Sequence, residues 1–145
     1  MAKANYSDSE YLRKQREYRR ATGNAATRKY ERTKEGKLMR TYRNMLSRVL
    51  GILKKKRHLY EGKDILPRAE FYAWAMASEE FHRLYEGWVA SGYRCGASPS
   101  VDRVDPSLGY VMGNMEWVTH SENSRRSSIK RQPSPEQLPL WSDAA

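Results

Sequence analysis

The side chains of this 145-residue sequence best suited to chemistry fall within Pro99 to Arg126, PSVDRVDPSLGYVMGNMEWVTHSENSRR. Asp102 offers a carboxylate and Asn123 an amide oxygen. An anionic and a neutral oxygen from two separate elements make a sparse, hard ligand set with open positions. Mg²⁺ favours that pattern when substrate phosphate supplies the remaining ligands. Asn114 carries a short amide able to tie a loop to its own backbone.

Those residues need a scaffold, and the same stretch spells one. Ser100 to Val104 sets apolar Val101 and Val104 around charged Asp102 and Arg103, which suits a short strand. Asp105, Pro106, Ser107 and Gly109 are turn formers. Met115 to Val118 brings Trp117, a large aromatic that favours burial in a second strand. Thr119 or Ser121 then stands where a helix N-cap belongs, with Glu122 in the first turn and Arg125 and Arg126 in the last. The predicted unit is a hairpin leaning on a helix, with Asp102 on one and Asn123 on the other.

At these residues the stretch resembles the HNH (ββα-metal) endonucleases, in particular phage and intron-borne members. Those have a DRID-like first strand and an N-x-x-W-V-T-H-S-E-N second half; here the strings are VDRVD and NMEWVTHSEN. The resemblance implies that Asp102 and Asn123 hold a metal, that Asn114 fixes the loop, and that Trp117 is the core aromatic of the second strand. Arg103 stands where the family has its catalytic His. A guanidinium stays protonated, so it cannot take a proton from water, but it can grip phosphate bidentately. The nearest replacement base is His120, three residues before Asn123 on a neighbouring helical face. Helix capping or a phosphate contact is its plainer role, and Tyr110 is a weaker base candidate.

Charge distribution points to the substrate. The net charge of +10 is uneven: residues 1–63 carry a balance of +13, residues 64–123 a balance of −5, and residues 124–145 a balance of +2. A basic N-terminal region points to a polyanion, most often nucleic acid. With 39% hydrophobic and 30% charged residues, a compact core is expected over only part of the chain. No apolar run reaches the roughly 18 residues of a membrane span, and the first ten residues have no apolar signal core. The lone Cys95 excludes an internal disulfide and the paired-cysteine zinc knuckles of some nucleases, so no structural zinc is expected.

Residues 9–32 are charged on nearly every face, without an apolar stripe, and Gly23-Asn24 breaks them. They read as a solvated basic helix or disordered arm able to lie along phosphates. From Thr41 an apolar face appears: Met45, Leu46, Val49, Leu50 and Leu53, with Arg40, Arg43 and Arg48 opposite. Lys54, Lys55, Lys56, Arg57 and His58 end that helix as a cationic cluster. Pro67 opens a further helix with Phe71, Trp74 and Ala75 buried. Ser78 marks either a fresh start or a bend ahead of Phe81, Leu84, Tyr85, Trp88 and Val89, and Gly92 is the stop. The lead-in through Trp88, Gly92 and Tyr93 loosely resembles the segment before the nuclease motif in related phage proteins.

The expected fold is α+β and mostly α: a helical N-terminal arm and core leading into a C-terminal ββα-metal hairpin-plus-helix, then a disordered tail. The expected divisions are a basic arm over 1–40, a helical support over 41–96, the HNH-like motif over 97–130 and the tail over 131–145. Within the tail, Gln137, Leu138, Leu140 and Trp141 resemble the peptide with which bacterial polymerases engage the sliding clamp. The expected function is Mg²⁺- or Mn²⁺-dependent cleavage of double-stranded DNA by a nicking or homing enzyme, phage-encoded and working in the host bacterial cytoplasm. Arg40, Arg43, Arg48, Lys54, Lys55, Lys56, Arg57, Arg125 and Arg126 are the expected DNA contacts. Because Arg103 replaces the base, an HNH scaffold that binds DNA without cutting is the alternative.

Overall fold

The computed structural model describes residues 9–131 and divides the chain between Met39 and Arg40. In the N-terminal unit, α1 (Ser9–Thr22) and α2 (Ala25–Glu31) bury no residue. Gly23 and Asn24 separate them, both left-handed at φ 59°, a conformation glycine and asparagine adopt most readily. Ion pairs one helical turn apart, Lys14–Glu10 at 3.1 Å and Arg13–Glu17 at 3.5 Å, line α1. Each contributes a few tenths of a kcal/mol, on the order of 0.3–0.5.

The third helix, α3 (Lys34–Val49), begins well before the apolar face at Thr41. Thr33 sets that start, its hydroxyl accepting a hydrogen bond from the Gly36 amide at 3.1 Å. In the C-terminal unit, α3 buries Tyr42, Met45 and Val49, and the Tyr42 hydroxyl donates to the Leu66 carbonyl at 2.8 Å. The expected continuation to residue 57 does not occur. Gly51, at φ 71°, turns the chain; Leu50, whose amide still bonds the Leu46 carbonyl, is exposed at the helix end, and Leu53 beyond the turn is exposed as well. Lys54–Lys56 forms a single 3₁₀ turn and Arg57–Tyr60 a short α4.

Helices α5 (Arg68–Ala77) and α6 (Glu79–Ala90) are separate elements. Ser78 between them is extended (φ −85°, ψ 113°) and accepts from the Phe81 amide, which decides for a fresh start over a bent helix. Phe71, Ala75, Phe81, Leu84 and Trp88 are buried, whereas Val89 at the edge of the stripe is exposed. Gly92 and Tyr93 then reverse the chain at positive φ, with Tyr93 edge-on to Trp88 at 5.0 Å.

Strands β1 (Pro99–Arg103) and β2 (Met115–Thr119) pair antiparallel, with Val101 opposite Trp117 and Asp102 opposite Glu116. Trp117 sits against Phe81 at 4.7 Å and stacks on Trp74 at 5.6 Å. This aromatic cluster anchors the hairpin to α5 and α6. The aromatics therefore form a core and not a base-stacking face. Helix α7 (His120–Arg131) follows β2 directly, and Thr119, not Ser121, caps it by accepting from the Glu122 amide at 3.2 Å. The fold is α+β and mostly α, with one two-stranded sheet among the described residues. The stretch Gln137 to Trp141 lies outside the described residues.

Candidate active site

The pleat of β1 sorts its side chains. Pro99, Val101 and Arg103 are buried while Ser100 and Asp102 are half-buried, the alternation expected of a strand with one covered face. Ser100 and Asp102 meet α7: the Asn123 Nδ2 donates to the Ser100 hydroxyl at 2.9 Å and the Arg126 Nη1 to Asp102 at 3.2 Å. The first bond orients the amide, and among the described residues nothing donates to Asn123 Oδ1. Asp102 and Asn123 both line one cleft of about 350 Å³, with Val101, Arg103, Pro106, Tyr110 and Ser127 around them and Lys56, Leu59 and Tyr60 completing the wall. The hairpin, α7 and the 54–60 segment thus bring together the two oxygen donors singled out in the sequence. Among the described residues, no group of three or more His, Cys, Asp or Glu side chains is arranged to hold a metal. The donor set available here is one carboxylate and one amide oxygen, hard ligands of the kind Mg²⁺ and Mn²⁺ accept alongside water or phosphate.

Asn114 fixes the loop that frames the cleft. It is buried; its Nδ2 donates to the carbonyls of Asp105 (3.1 Å) and Gly109 (2.8 Å), and its Oδ1 accepts from the Asp105 amide (2.8 Å). Gly109 passes so close to Asp64 that a Cβ would overlap the Asp64 carbonyl. The adjacent Tyr110 amide donates to that same carbonyl at 2.9 Å.

Arg103 has a different occupation from the expected phosphate clamp. It is 7% exposed, and its Nη1 donates to the carbonyls of Leu59 (3.1 Å), Pro106 (2.9 Å) and Leu108 (3.1 Å). Its guanidinium carbon lies 4.1 Å from the Tyr60 ring centroid. A planar multi-donor group suits several carbonyls converging from two segments. Arg103 therefore joins the 54–60 wall to the hairpin loop, and with it builds the cleft.

The other predicted residues divide by what they touch. His120 is exposed at the start of α7, and it is not among the residues lining the cleft. Tyr110 is buried, and burial pushes its hydroxyl above the ordinary tyrosine range against the opposing pull of Arg48; at neutral pH it keeps its proton. Arg48, predicted on the polar side of α3, instead donates to the Tyr110 hydroxyl at 3.1 Å. Arg40, Arg43 and Lys54 to Arg57 are exposed, although the Arg57 Nε donates to the Gly51 carbonyl at 2.6 Å. Arg125 and Arg126, predicted to touch DNA, are engaged by the chain's own carboxylates. Arg125 Nε donates to Glu122 at 2.8 Å; Arg126 reaches Glu116 (2.8 Å), Glu122 (3.1 Å) and Asp102. Arg125, opposed by desolvation and helped by Arg126, holds the Glu122 carboxyl down at about 2.

Compared with known proteins, the chain matches no family model, no curated protein and no solved structure. Sequence reasoning missed Ser100, Tyr60 and the engagement of Arg126. Strand alternation could have found Ser100, since it lies two residues before Asp102 on the same face.

Proposed function

We propose that the chain is a divalent-metal-dependent DNA endonuclease of the HNH type, hydrolysing phosphodiester bonds as a nicking or homing enzyme. One observation carries this reading: Asp102 and Asn123 line the same cleft, and the Asn123 amide is tied at its nitrogen to Ser100, its oxygen bonded to nothing among the described residues. Asp102 and Asn123 would hold Mg²⁺ or Mn²⁺, which when bound supplies Lewis-acid polarisation of a phosphoryl oxygen. Lys56, on the same cleft, brings an ammonium to the phosphate without needing to move a proton. The basic excess in residues 1–63 supplies the sequence-independent, salt-sensitive hold on duplex DNA. The tail peptide adds a bacterial sliding clamp as a proposed partner, and a phage origin would put the enzyme in the host cytoplasm. Among the described residues no helix is long and apolar enough to cross a membrane.

A second reading has its own observation. No histidine lines the cleft, and Arg126 already bonds Asp102, so the chain could be an HNH scaffold that binds DNA without cutting it. Supercoiled plasmid separates the two. The enzyme is expected to relax it with Mg²⁺ or Mn²⁺ and to leave it intact with EDTA. Retention of plasmid without nicking at any metal concentration would select the binding scaffold.

A further inference from the structure

Asp102 and Glu116 face each other directly across the hairpin, and like charges in that position repel. Arg126 resolves the conflict. Its Nη1 lies 3.2 Å from Asp102 and 2.8 Å from Glu116, and its Nε lies 3.1 Å from Glu122. The Asp102 side chain is only 14% exposed, so solvent does little to stabilise its charge and a counter-charge from the protein is needed. A guanidinium stays protonated in proteins, so this counter-charge is permanent.

We propose that Arg126 is a resident counter-ion that a divalent cation must displace, or draw away from, before Asp102 can serve as a ligand. The inference rests on the reading of Asp102 and Asn123 as the metal ligands. A cation approaching Asp102 meets a carboxylate already neutralised and a fixed positive charge beside it, and both weaken its binding. Arg126 is 31% exposed, so once released its fork can turn to an anionic oxygen outside the protein, and phosphate is the acceptor it fits best. Ion entry and phosphate contact would then be linked through one side chain. Weak affinity for metal alone and tighter affinity in the presence of duplex follow by reciprocity.

The test is Mn²⁺ binding to the full chain, read by the loss of the free-ion EPR signal, in wild type, Arg126→Gln, Arg126→Lys and Asp102→Asn. Arg83→Gln serves as a control, since among the described residues that arginine pairs with Glu80 on the surface of α6. Arg126→Gln is expected to tighten Mn²⁺ about threefold to tenfold, because a neighbouring like charge has been removed. Arg126→Lys, which keeps the charge and loses the fork, should fall between it and wild type, and stands in if Arg126→Gln fails to fold. Asp102→Asn should abolish the binding and Arg83→Gln should leave it unchanged. Equal or weaker Mn²⁺ affinity in Arg126→Gln, with binding still lost in Asp102→Asn, would overturn the exchange and leave the metal site standing. Absence of binding in every variant, wild type included, would remove both.

Discussion

Replacing Arg103 with methionine is expected to cost about 2–4 kcal/mol of folding stability, because a buried carbonyl left without its donor costs roughly 1–3 kcal/mol. The carbonyls of Leu59 and Leu108 lose this donor, while that of Pro106 keeps its bond from the Lys63 Nζ at 2.7 Å. The Tyr60 ring also loses the cation stacked on it. Methionine fills much of the volume but offers no hydrogen, so most of the loss reflects carbonyls desolvated without compensation. Urea unfolding followed by tryptophan fluorescence measures it, since Trp117 is buried beneath the hairpin and half-buried Trp74 stacks on it. Arg103→His is the informative companion, because it puts at this position the histidine found in the endonucleases that the stretch resembles. The shorter imidazole cannot reach three carbonyls, so that variant is expected to lose stability and gain no nicking activity. A variant with wild-type stability in either case would show that Arg103 does not build the cleft wall.

Asp102→Ala is expected to lower the plasmid-nicking rate by roughly 10²–10³-fold, the scale for removing one preorganised electrostatic group from a transition state. Duplex affinity is expected to stay within about twofold to threefold, because the phosphate hold comes mainly from Lys and Arg elsewhere. The change also frees Arg126 from one carboxylate while leaving Glu116 and Glu122 to hold it, so the helix contact survives. Single-turnover nicking and filter binding at one fixed salt concentration separate the two effects. Loss of DNA binding in step with nicking would mean that Asp102 acts through the fold and not through the reaction.

Sequence patterns reach unevenly into this molecule. The two-strand-and-helix unit is legible because turn formers, Trp117 and the cap at Thr119 are local signals that agree with one another. The separation of α5 from α6 is only half legible: Ser78 signals a start, the same residues also fit one bent helix, and the cap from Ser78 to the Phe81 amide decides between them. The end of α3 is not legible: Leu50 and Leu53 continue the helical spacing in the sequence, yet a single left-handed glycine at position 51 turns the chain between them. Arg103 is the instructive case. Its charge suggests solvent or phosphate, whereas the pleat of β1 assigns it to the face of Val101, and the carbonyls that satisfy it come from 44 residues upstream at Leu59 as well as from the adjoining loop. Spacing cannot reveal such a partner. The engagement of Asp102 by Arg126 is equally long-range, joining residues 24 apart through the packing of α7 on β1. Asp102 and Asn123 share a cleft because that same packing brings strand and helix together.

Crystals of the protein with duplex DNA and Mn²⁺, read by anomalous scattering, locate the ion itself. One peak is expected at ordinary oxygen-coordination distance, about 2.0–2.3 Å for ions of this class, from both the Asp102 carboxylate and Asn123 Oδ1, with Arg126 turned from Asp102. A fully occupied Mn²⁺ elsewhere on the protein, with Arg126 still bonded to Asp102 and the Asn123 oxygen unliganded, would contradict Asp102 and Asn123 as its ligands.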